Sequence, residues 1–530
     1  MKIVVADDLP ASALELLRAD PAWEVDARTG RSAATLAQDL ADADALLVRS
    51  ATKVTASLLS AAPKLRIVAR AGTGVDNVDV VAASARGILV VNAAGANSIS
   101  VAEHAWALML ALARSVPAAD RAMKDGRWDK KRFLGNELRG KTLGVAGLGR
   151  IGQEVAQRAR AFDMRVVAHD PYIAREVAAA LGVELLTLDE VCAAADYLTL
   201  HLPSTPETKH LFNDERFARC KPGIRLVNTA RGDLIDEKAL RTAIERGIVA
   251  AAALDVFERE PPDDWSLAQL PQVVATPHIA ASTEEAQELV GIDTAATVRD
   301  FLLHGLVKNA VNFPSIHPDE MQRLQPWIRL ADRLGGLVSQ LGAGRIEALG
   351  VRYYGALLES RGVEVLASSA AAGALRPILS GGISIVNAMS AARERGIDVI
   401  ESRSSRARHF TGLLSVKLQT DNGERWVEGT VFEPESLRLV SLHGIQVEAP
   451  LGGTLLIIKN DDQPGVIGDV GTILGRRRVN IANFALGRGQ QGAVGVVNVD
   501  EAPGRSDLDD AVREIRALPA IRDARIVRLA

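Results

Sequence analysis

The chain has very little cysteine and no long apolar run. Its 530 residues include only Cys192 and Cys220, too few for a disulfide scaffold. No group of cysteines and histidines has the spacing of zinc ligands, so we expect no metal site. No uncharged apolar stretch reaches the roughly 18 residues that a membrane span needs, and the N-terminus does not have the pattern of a signal peptide. These absences predict a soluble, cytoplasmic protein that does not bind a membrane.

The chain also lacks an excess of charge of either sign. Its formal net charge is −4, so no overall field favours nucleic acid, and we expect no nucleic-acid partner. A small anionic substrate would instead be held by a local group of arginines. The hydrophobic fraction of 48% is enough to form buried cores, and the length predicts three or four domains.

A glycine-rich loop, GLGRIG, lies between an apolar strand and a helix. In this pattern Gly147 allows the tight turn, Gly149 lets a pyrophosphate approach backbone N–H groups, and Gly152 lets helix and strand pack closely. Asp170 ends the next predicted strand, 18 residues after the last of these glycines. Its carboxylate suits the ribose hydroxyls of adenosine and would repel a 2′-phosphate, so the sequence favours NAD over NADP.

Short apolar runs alternate with helical segments on both sides of this loop. Before it, the runs KIVVA, ALLVR, RIVAR and ILVVN predict buried strands, and the segments between them have helical spacing. Such alternation predicts an α/β fold with two doubly wound parallel sheets. The helix at 284–305 leads away from the second sheet. We predict a discontinuous substrate-binding domain, residues 1–95 plus 284–310, and a Rossmann-like NAD-binding domain at 96–283.

The pattern changes in the last two fifths of the chain. Residues 311–450 mix strands with small-residue helices, which predicts an α+β domain, and they show no catalytic set. Residues 451–530 give the order strand, helix, strand, strand, helix, strand. This order predicts a ferredoxin-like βαββαβ domain.

Three charged residues follow predicted strands of the nucleotide-binding sheet. Arg231 lies in NTARGDLID, Glu260 in LDVFEREPP and His278 in ATPHIAAST. A guanidinium can hold a substrate carboxylate with a bidentate fork. An imidazole can take a hydroxyl proton, and a carboxylate can orient that imidazole and favour its charged form. Beside a dinucleotide, these groups predict the oxidation of a 2-hydroxy acid.

The motifs closely resemble those of the D-isomer-specific 2-hydroxyacid dehydrogenases. The resemblance covers residues 1–310 and is carried by VRSATKVT, ARAGTGVDN, GLGRIG, NTARG, LDVFEREP and PHIAAST. It implies a catalytic set of Arg231, Glu260 and His278, and NAD as cofactor. Besides Gly147, Gly149 and Gly152 of the glycine loop, it implies cofactor contacts at Thr73, Arg150, Ile151, Asp170, Thr229, Ala230 and Asp255. Asp255 would contact the nicotinamide amide.

Within this family the chain resembles the enzymes that oxidise D-3-phosphoglycerate to 3-phosphohydroxypyruvate, the first step of phosphorylated L-serine biosynthesis. Such a substrate carries a carboxylate and a phosphate, so two cationic sites are needed, and Arg231 supplies one. Candidates for the phosphate are Arg49 and Arg70, which end predicted strands. Candidates near the carboxylate are Asn77 and the backbone of Thr73, Gly74 and Val75.

The last segment resembles an ACT domain, a module that senses small molecules, in NDDQPGVIGDVGTIL and VNIANF. The resemblance implies L-serine as a feedback effector, with Asp462 at its ammonium group and Asn480 at its amine and carboxylate. Residues 311–450 resemble the intervening domain of the long members of the family, which would couple the sensor to the catalytic core. The resemblance also implies a homotetramer.

Two other functions are compatible with parts of this pattern. A glyoxylate or hydroxypyruvate reductase would share the core and the catalytic set, but it would need neither a phosphate site nor an amino-acid sensor. A non-enzymatic NAD-sensing interaction protein could use the same core, but it would not need an intact catalytic set. Rates with phosphoglycerate and with glycerate distinguish these possibilities.

Overall fold

The computed structural model describes residues 1–314, 316, 318–342, 344–379, 382–406, 409–433, 436–490, 492–500 and 507–529. It contains two compact units. Unit 1 comprises Met1–Asn92 and Thr294–Ala530, and unit 2 comprises Ala93–Asp293. No helix in the described part of the chain is long and apolar enough to cross a membrane.

The N-terminal part of unit 1 is an α/β domain. Its strands are β1 (Lys2–Val5), β2 (Glu24–Asp26), β3 (Ala45–Val48), β4 (Ile67–Arg70) and β5 (Leu89–Asn92). Its helices are α1 (Ala11–Arg18), α2 (Ala33–Asp39), α3 (Ala56–Ser60) and α4 (Val80–Ala85). The strands form a parallel sheet in the order β2-β1-β3-β4-β5. The central strands are apolar throughout and buried, as expected for a parallel sheet that is covered on both faces.

Unit 2 is built on a larger parallel sheet. Its strands are β6 (Thr142–Ala146), β7 (Arg165–His169), β8 (Glu184–Leu185), β9 (Tyr197–Leu200), β10 (Ile224–Asn228), β11 (Val249–Leu254) and β12 (Val273–Ala275). They are parallel and lie in the order β12-β11-β10-β9-β6-β7-β8. The chain first winds outward from β6 to β8 and then continues from β9 in the opposite direction. The crevice for ligands in such sheets lies at the carboxyl ends of the strands, where the order reverses.

Helices surround this second sheet. They are α5 (Ser98–Arg114), α6 (Val116–Lys124), α7 (Arg150–Ala159), α8 (Arg175–Ala180), α9 (Leu188–Ala194), α10 (Asp214–Ala218) and α11 (Glu237–Glu245). The long α12 (Glu284–His304) begins in this unit, and its residues from Thr294 onward belong to unit 1. Short 3₁₀ turns occur at Lys130–Phe133, Arg160–Phe162 and Gly232–Leu234. Both cysteines are free and buried in this unit.

After α12 the chain forms a mixed α+β domain. Its helices are α13 (Pro318–Leu341), α14 (Val365–Leu375) and α15 (Ala388–Glu394), with a 3₁₀ turn at Ala356–Leu358. Its strands are β13 (Ile346–Gly355), β14 (Asp398–Ser404), β15 (Gly412–Thr420), β16 (Gly423–Val431), β17 (Leu437–Leu442) and β18 (Ile445–Pro450). They lie in the order β14-β13-β15-β16-β17-β18, and all neighbours are antiparallel except β13 and β14.

This mixed domain contacts the first sheet domain within unit 1. The hydroxyl of Ser384 donates to the carbonyl of Gly87 at 2.7 Å, and the amide of Asn387 donates to the carbonyl of Ala85 at 3.2 Å. A Cβ added at Gly87 would lie 2.6 Å from the carbonyl oxygen of Gly382. The turn between α4 and β5 is therefore held directly by the loop that precedes α15.

The C-terminal segment has the elements β19 (Gly453–Asn460), α16 (Val466–Arg476), β20 (Asn480–Gly489), β21 (Gly492–Asp500), α17 (Asp507–Arg516) and β22 (Ile521–Leu529). They form an antiparallel sheet in the order β20-β21-β19-β22. Apolar residues of both helices and of the central strands form one core.

The fold class predicted from the sequence is confirmed: two parallel α/β sheets, an α+β domain and a βαββαβ domain follow one another. Three strands, β2, β8 and β14, lie where the sequence pattern predicts none. The segment LRLVSLHGIQVEA at 437–449 is expected from its sequence to form one strand, but it folds as the hairpin β17–β18. The predicted domain boundaries stay predictions.

Candidate active site

The three predicted catalytic residues follow three neighbouring strands of unit 2. Arg231 comes after β10, Glu260 after β11 and His278 after β12, and β11 pairs in parallel with both of the others. The carboxyl ends of parallel strands lie on the same edge of a sheet. The sheet therefore brings the three side chains to one edge.

Glu260 and His278 contact each other. Nδ1 of the histidine lies 2.6 Å from Oε2 of the glutamate. The other carboxylate oxygen, Oε1, accepts the backbone N–H of Phe257 at 3.2 Å. The side chain of Glu260 is 37% exposed and that of His278 is 50% exposed, so the pair is open to solvent and accessible to a substrate.

The pair shifts the pKa of both of its members. The hydrogen bond to Glu260 raises the pKa of His278 above its ordinary value, and the charges of Glu260 and Asp255 act in the same direction. Partial burial and the positive charge of Arg231 oppose this rise in pKa. Partial burial also raises the pKa of Glu260, but the hydrogen bond and charge of His278 outweigh it and lower that pKa overall. The raised pKa of His278 therefore stabilises the imidazolium once the imidazole has accepted a proton.

A buried carboxylate shapes the loop that carries His278. Asp255, fully buried, accepts the N–H groups of Ile279 at 2.9 Å and Ala280 at 2.8 Å and the hydroxyl of Thr276 at 2.6 Å. Its carbonyl accepts the N–H of His278 at 2.8 Å, and His278 has a left-handed backbone with φ 52°. These bonds hold a conformation that residues other than glycine rarely adopt. The predicted contact of Asp255 with a nicotinamide amide stays a prediction.

Arg231 is positioned by its neighbours in the turn after β10. The amide of Asn228, fully buried, donates to the carbonyl of Arg231 at 2.8 Å, and its oxygen accepts the N–H of Ala230 at 3.0 Å. A Cβ added at Gly232 would lie 1.9 Å from the carbonyl carbon of Phe257. Only glycine lets this turn pack against the loop that leads to Glu260. The glycine thus keeps the turn that carries Arg231 against the loop that leads to Glu260, and the charge of Arg231 acts on His278.

The glycine loop of unit 2 has the packing that the sequence predicts. A Cβ added at Gly147, which has φ 93°, would lie 2.5 Å from the carbonyl oxygen of His201. A Cβ added at Gly152 would lie 2.1 Å from the carbonyl oxygen of Gly147. In contrast, a Cβ at Gly149 would meet no atom within 4 Å. The first and last glycines are thus required by the protein's own packing, and the middle one faces open space.

Residues around this open space fit a dinucleotide. Helix α7 begins at Arg150, so its N-terminal N–H groups face the place where a pyrophosphate would lie. Asp170 follows β7, and its two oxygens accept the N–H groups of Leu148 at 2.8 Å and Tyr172 at 2.9 Å. The hydroxyl of Thr229 is buried and has no hydrogen-bond partner among the described residues, a position that a bound cofactor could satisfy.

The other predicted cofactor residues of unit 2 lie nearby in the chain but differ in exposure. Arg150 is exposed, and its guanidinium donates to the carbonyl of Ala94. Ile151 is half-buried against the core between α5 and the sheet. Ala230 is half-buried in the turn that ends at Arg231. Their contacts with the cofactor stay predictions.

The predicted phosphate-binding arginines lie in unit 1, at the carboxyl ends of adjacent strands. Arg49 follows β3, and Arg70 is the last residue of β4. Both are half-buried. A Cβ added at Gly72 would overlap the guanidinium of Arg70, so the glycine leaves room for that side chain. The structure thus brings the two arginines to one edge of the first sheet.

The residues predicted near the substrate carboxylate follow the same edge. Thr73, Gly74 and Val75 are half-buried, and the carbonyl of Thr73 accepts the side-chain amide of Asn92. The amide of Asn77 donates at 2.7 Å to the carbonyls of Arg49 and Thr52. Asn77 therefore shapes the loop that carries Arg49, a role that the sequence did not suggest.

The predicted effector residues of the C-terminal domain already contact other charged or polar groups. Oδ1 of Asp462 lies 3.4 Å from Nε of Arg488, and the amide of Asn480 donates to Asp500 at 2.6 Å. Gly465, with φ 97°, precedes α16 and leaves open space where its side chain would be. Both predicted residues lie on the surface near the beginning of α16 and β20.

Sequence reasoning missed several residues that position the site. Asn228, Gly232 and Thr276 lie within the motifs NTARG and ATPHI, yet their contacts could not be inferred from spacing. Asp7, which follows β1, also holds the loop of Arg49. An acidic residue at the end of an apolar strand was a signal that could have identified Asp7.

Comparisons with known protein families agree with this geometry. Residues 106–280 match the model of the D-isomer specific 2-hydroxyacid dehydrogenase NAD binding domain. Residues 323–443 match the D-3-phosphoglycerate dehydrogenase intervening domain, and residues 454–520 match the ACT domain. The predicted order of modules and the NAD cofactor are thereby confirmed.

Curated relatives match the chain over its whole length. A D-3-phosphoglycerate dehydrogenase from Synechocystis sp. is 41% identical over 530 residues, which is 100% of this chain and 95% of that protein. One from Methanocaldococcus jannaschii is 42% identical and is matched over 100% of both chains. Shorter solved structures are also similar to this chain. A D-lactate dehydrogenase from Aquifex aeolicus in complex with NAD and lactic acid is 30% identical at a TM-score of 0.53, over 59% of this chain and 100% of that one.

A glyoxylate reductase from Paecilomyes thermophila is 31% identical at a TM-score of 0.54, over 59% of this chain and 98% of that one. The match to this shorter reductase extends over only part of the chain, whereas the curated dehydrogenases account for the intervening and ACT segments as well. The chain therefore belongs to the D-3-phosphoglycerate dehydrogenase family, within the D-isomer-specific 2-hydroxyacid dehydrogenases.

Proposed function

We propose that this chain oxidises D-3-phosphoglycerate to 3-phosphohydroxypyruvate with NAD, the first step of phosphorylated L-serine biosynthesis. The observation that carries the proposal is the contact between Nδ1 of His278 and Oε2 of Glu260, at 2.6 Å. This pair lies on the same sheet edge as Arg231. Similarity to D-3-phosphoglycerate dehydrogenases over the full length supports the same substrate.

His278 acts as the general base in this proposal. Its Nδ1 faces Glu260, so the hydrogen bond selects the tautomer in which Nε2 carries the lone pair. Nε2 takes the proton of the C2 hydroxyl as the C2 carbon becomes a carbonyl carbon. The carboxylate of Glu260 stabilises the imidazolium that forms, and the same residues return the proton in the reverse reaction.

Arg231 binds the substrate carboxylate through its guanidinium. A bidentate pair fixes both the position and the rotation of the substrate, which holds the C2 hydroxyl toward the base. The charge of Arg231 opposes protonation of His278 when no substrate is present. A bound carboxylate neutralises that charge, so substrate binding itself favours proton transfer to the imidazole.

When bound, NAD supplies the acceptor for the hydride that leaves C2. The open space at Gly149 admits the pyrophosphate to the N–H groups at the beginning of α7. Thr229 has a buried hydroxyl that is suited to donate to the cofactor. The negative charge of Asp170 disfavours a 2′-phosphate on the ribose, which supports NAD over NADP.

Arg49 and Arg70 are proposed to hold the phosphate of the substrate. They end neighbouring strands of the first sheet, and Gly72 leaves room for the second of them. Two guanidinium groups match the double charge of a phosphate ester. The backbone of Thr73, Gly74 and Val75 is proposed to bind near the carboxylate.

The ACT domain supports regulation by an amino acid, and we propose L-serine as that effector. Gln340 of α13 forms two hydrogen bonds with the backbone of Arg528 in this domain, at 2.9 and 3.0 Å. The intervening domain in turn holds the turn at Gly87 through Ser384. These contacts support the proposed coupling role of the intervening domain. A homotetramer and a cytoplasmic location are also proposed, the latter supported by the two free thiols.

The decisive experiment is an initial-rate assay of NAD reduction with D-3-phosphoglycerate, with and without L-serine. D-glycerate and D-lactate serve as substrates without phosphate. We expect phosphoglycerate to be strongly preferred over both. Equal rates with glycerate would favour a hydroxypyruvate or glyoxylate reductase instead. Undetectable NADH formation with all three acids would contradict an enzymatic function altogether.

A further inference from the structure

We propose that Asp7 is a positioning residue for the substrate phosphate, because its buried carboxylate fixes the loop from which Arg49 extends. The inference rests on the proposed function, in which Arg49 binds that phosphate. Asp7 lies two residues after β1 and is 9% exposed. It makes no contact with a substrate in this proposal and acts only through the arginine.

Both oxygens of Asp7 bind the loop at 49–52. Oδ2 accepts the backbone N–H of Arg49 at 2.5 Å and that of Thr52 at 3.2 Å. Oδ1 accepts the hydroxyl of Thr52 at 2.6 Å. A buried carboxylate is unfavourable without such donors, and three donors from one short loop make the charge and the loop conformation depend on each other.

The opposite side of the same loop is held by Asn77. Its amide donates to the carbonyls of Arg49 and Thr52, both at 2.7 Å. The N–H groups of these two residues are therefore bound by Asp7, and their carbonyls by Asn77. Hydrogen bonds thus hold both the N–H group and the carbonyl of Arg49, so its side chain extends from a fixed backbone position.

The loop has the features of a ligand-binding segment. Ser50 and Ala51 at its tip are exposed, so the loop contributes little to the core. It follows the carboxyl end of β3, where α/β sheets place their ligands. These hydrogen bonds thus hold a segment that adds little to the core, and they fix the backbone from which the half-buried Arg49 extends.

Asp7→Asn tests this inference with little change in volume. The substituted amide keeps one acceptor but sets an N–H group against a donor of the loop. We expect the KM for phosphoglycerate to rise about tenfold, since small misplacements of a binding group have large effects. The KM for NAD and the kinetics with D-glycerate, which has no phosphate, should stay unchanged. Asp42→Asn, at an exposed position before β3 and away from Arg49, is the matched control.

A double-variant cycle separates this inference from the proposed function. Arg49→Ala alone should raise the KM for phosphoglycerate, and adding Asp7→Asn should raise it no further. If Arg49→Ala leaves that KM unchanged, the proposed phosphate site is wrong. If Arg49→Ala raises it but Asp7→Asn does not, or if the two effects multiply, the positioning role of Asp7 is overturned. An equal loss of kcat with glycerate and phosphoglycerate would also overturn it.

Thr52→Val provides a second variant that is expected to fold, because it removes only the hydroxyl that contacts Oδ1 of Asp7. We expect a smaller rise in the KM for phosphoglycerate, and Thr52→Ser, which keeps the hydroxyl, should restore it. If Asp7→Asn does not yield folded protein, this pair decides the question. An unchanged KM in Thr52→Val would then overturn the inference.

Discussion

Polar side chains are used differently at the proposed catalytic edge of unit 2, which carries Arg231, Glu260 and His278, and at the predicted effector site of the ACT domain. At the catalytic edge, Glu260 contacts His278, so the two groups act as one unit. In the ACT domain, Asp462 lies near Arg488, and Asn480 donates to Asp500. An effector there must compete with these existing contacts. The comparison teaches that a hydrogen bond between two side chains prepares the first site for proton transfer, whereas at the second site such bonds must be exchanged for bonds to a ligand.

The largest expected effect comes from removing His278, the proposed base of the catalytic edge. His278→Ala should lower kcat for phosphoglycerate by about 10²–10⁴-fold, since positioned acid–base catalysis contributes about that much. NAD affinity should change little because the glycine loop follows a different strand. Initial rates and a fluorescence titration with NADH measure the two quantities. His304→Ala, at the exposed end of α12, is the control, and turnover near that of the unchanged protein would contradict the role of His278.

Gly232→Ala should break the contact between the loops of Arg231 and Glu260. The added Cβ would overlap the backbone of Phe257, so the loops must separate. We expect a loss of about 1–3 kcal/mol in the free energy of unfolding, together with a lower kcat. Denaturant unfolding and initial rates measure both. Gly471→Ala in α16, where a Cβ meets no atom within 4 Å, should instead stabilise by about 0.5–1 kcal/mol.

Glu260→Gln should alter the pH dependence more than the fold. Glu260 raises the pKa of His278, so removing its charge lowers that pKa. In the proposed mechanism, oxidation requires the neutral imidazole of His278. The acid limb of kcat/KM for phosphoglycerate should therefore move to lower pH. Reduction requires the imidazolium, so its rate at neutral pH should fall. A profile that keeps its acid limb, or moves it to higher pH, would show that the pair does not set this pKa.

The smallest expected effect concerns the effector site. Arg488→Ala releases Asp462 from an exposed ion pair, which typically contributes about 0.2–1 kcal/mol. The concentration of L-serine for half inhibition should therefore fall, while Asp462→Ala should raise it. Inhibition curves at fixed phosphoglycerate measure both, and Asp469→Ala on α16 is the control. If both variants respond to serine like the unchanged protein, serine binds elsewhere.

The sequence allowed the catalytic edge to be predicted because its geometry follows from local rules. Apolar runs identify parallel strands, and residues that end neighbouring strands must meet at one edge. Arg231, Glu260 and His278 obey this rule, and so do the glycines at 147 and 152. The βαββαβ order could be predicted for the same reason, since apolar residues recur at a different spacing in strands and in helices.

The remaining features depend on contacts between distant segments. Asp7 reaches Thr52 across 45 positions of the chain, and no local pattern indicates this. Strand β14, DVIESRS, is polar and lies at an edge of its sheet, so it lacks an apolar run. The hairpin between β17 and β18 did have a local signal, His443 and Gly444, which both have positive φ in a two-residue turn. That signal was missed because the flanking residues read as one apolar segment.

Strand β12 is three residues long and forms the outer margin of the second sheet, while the glycine loop follows the interior strand β6. Segments with few buried contacts open locally at a lower free energy than core strands do, and none of the three residues of β12 is fully buried. His278 follows β12 directly, whereas the dinucleotide loop follows β6. Gentle stress should therefore produce a population that retains its cofactor but no longer turns over. Loss of activity would then be an early and reversible sign of damage, well ahead of global melting.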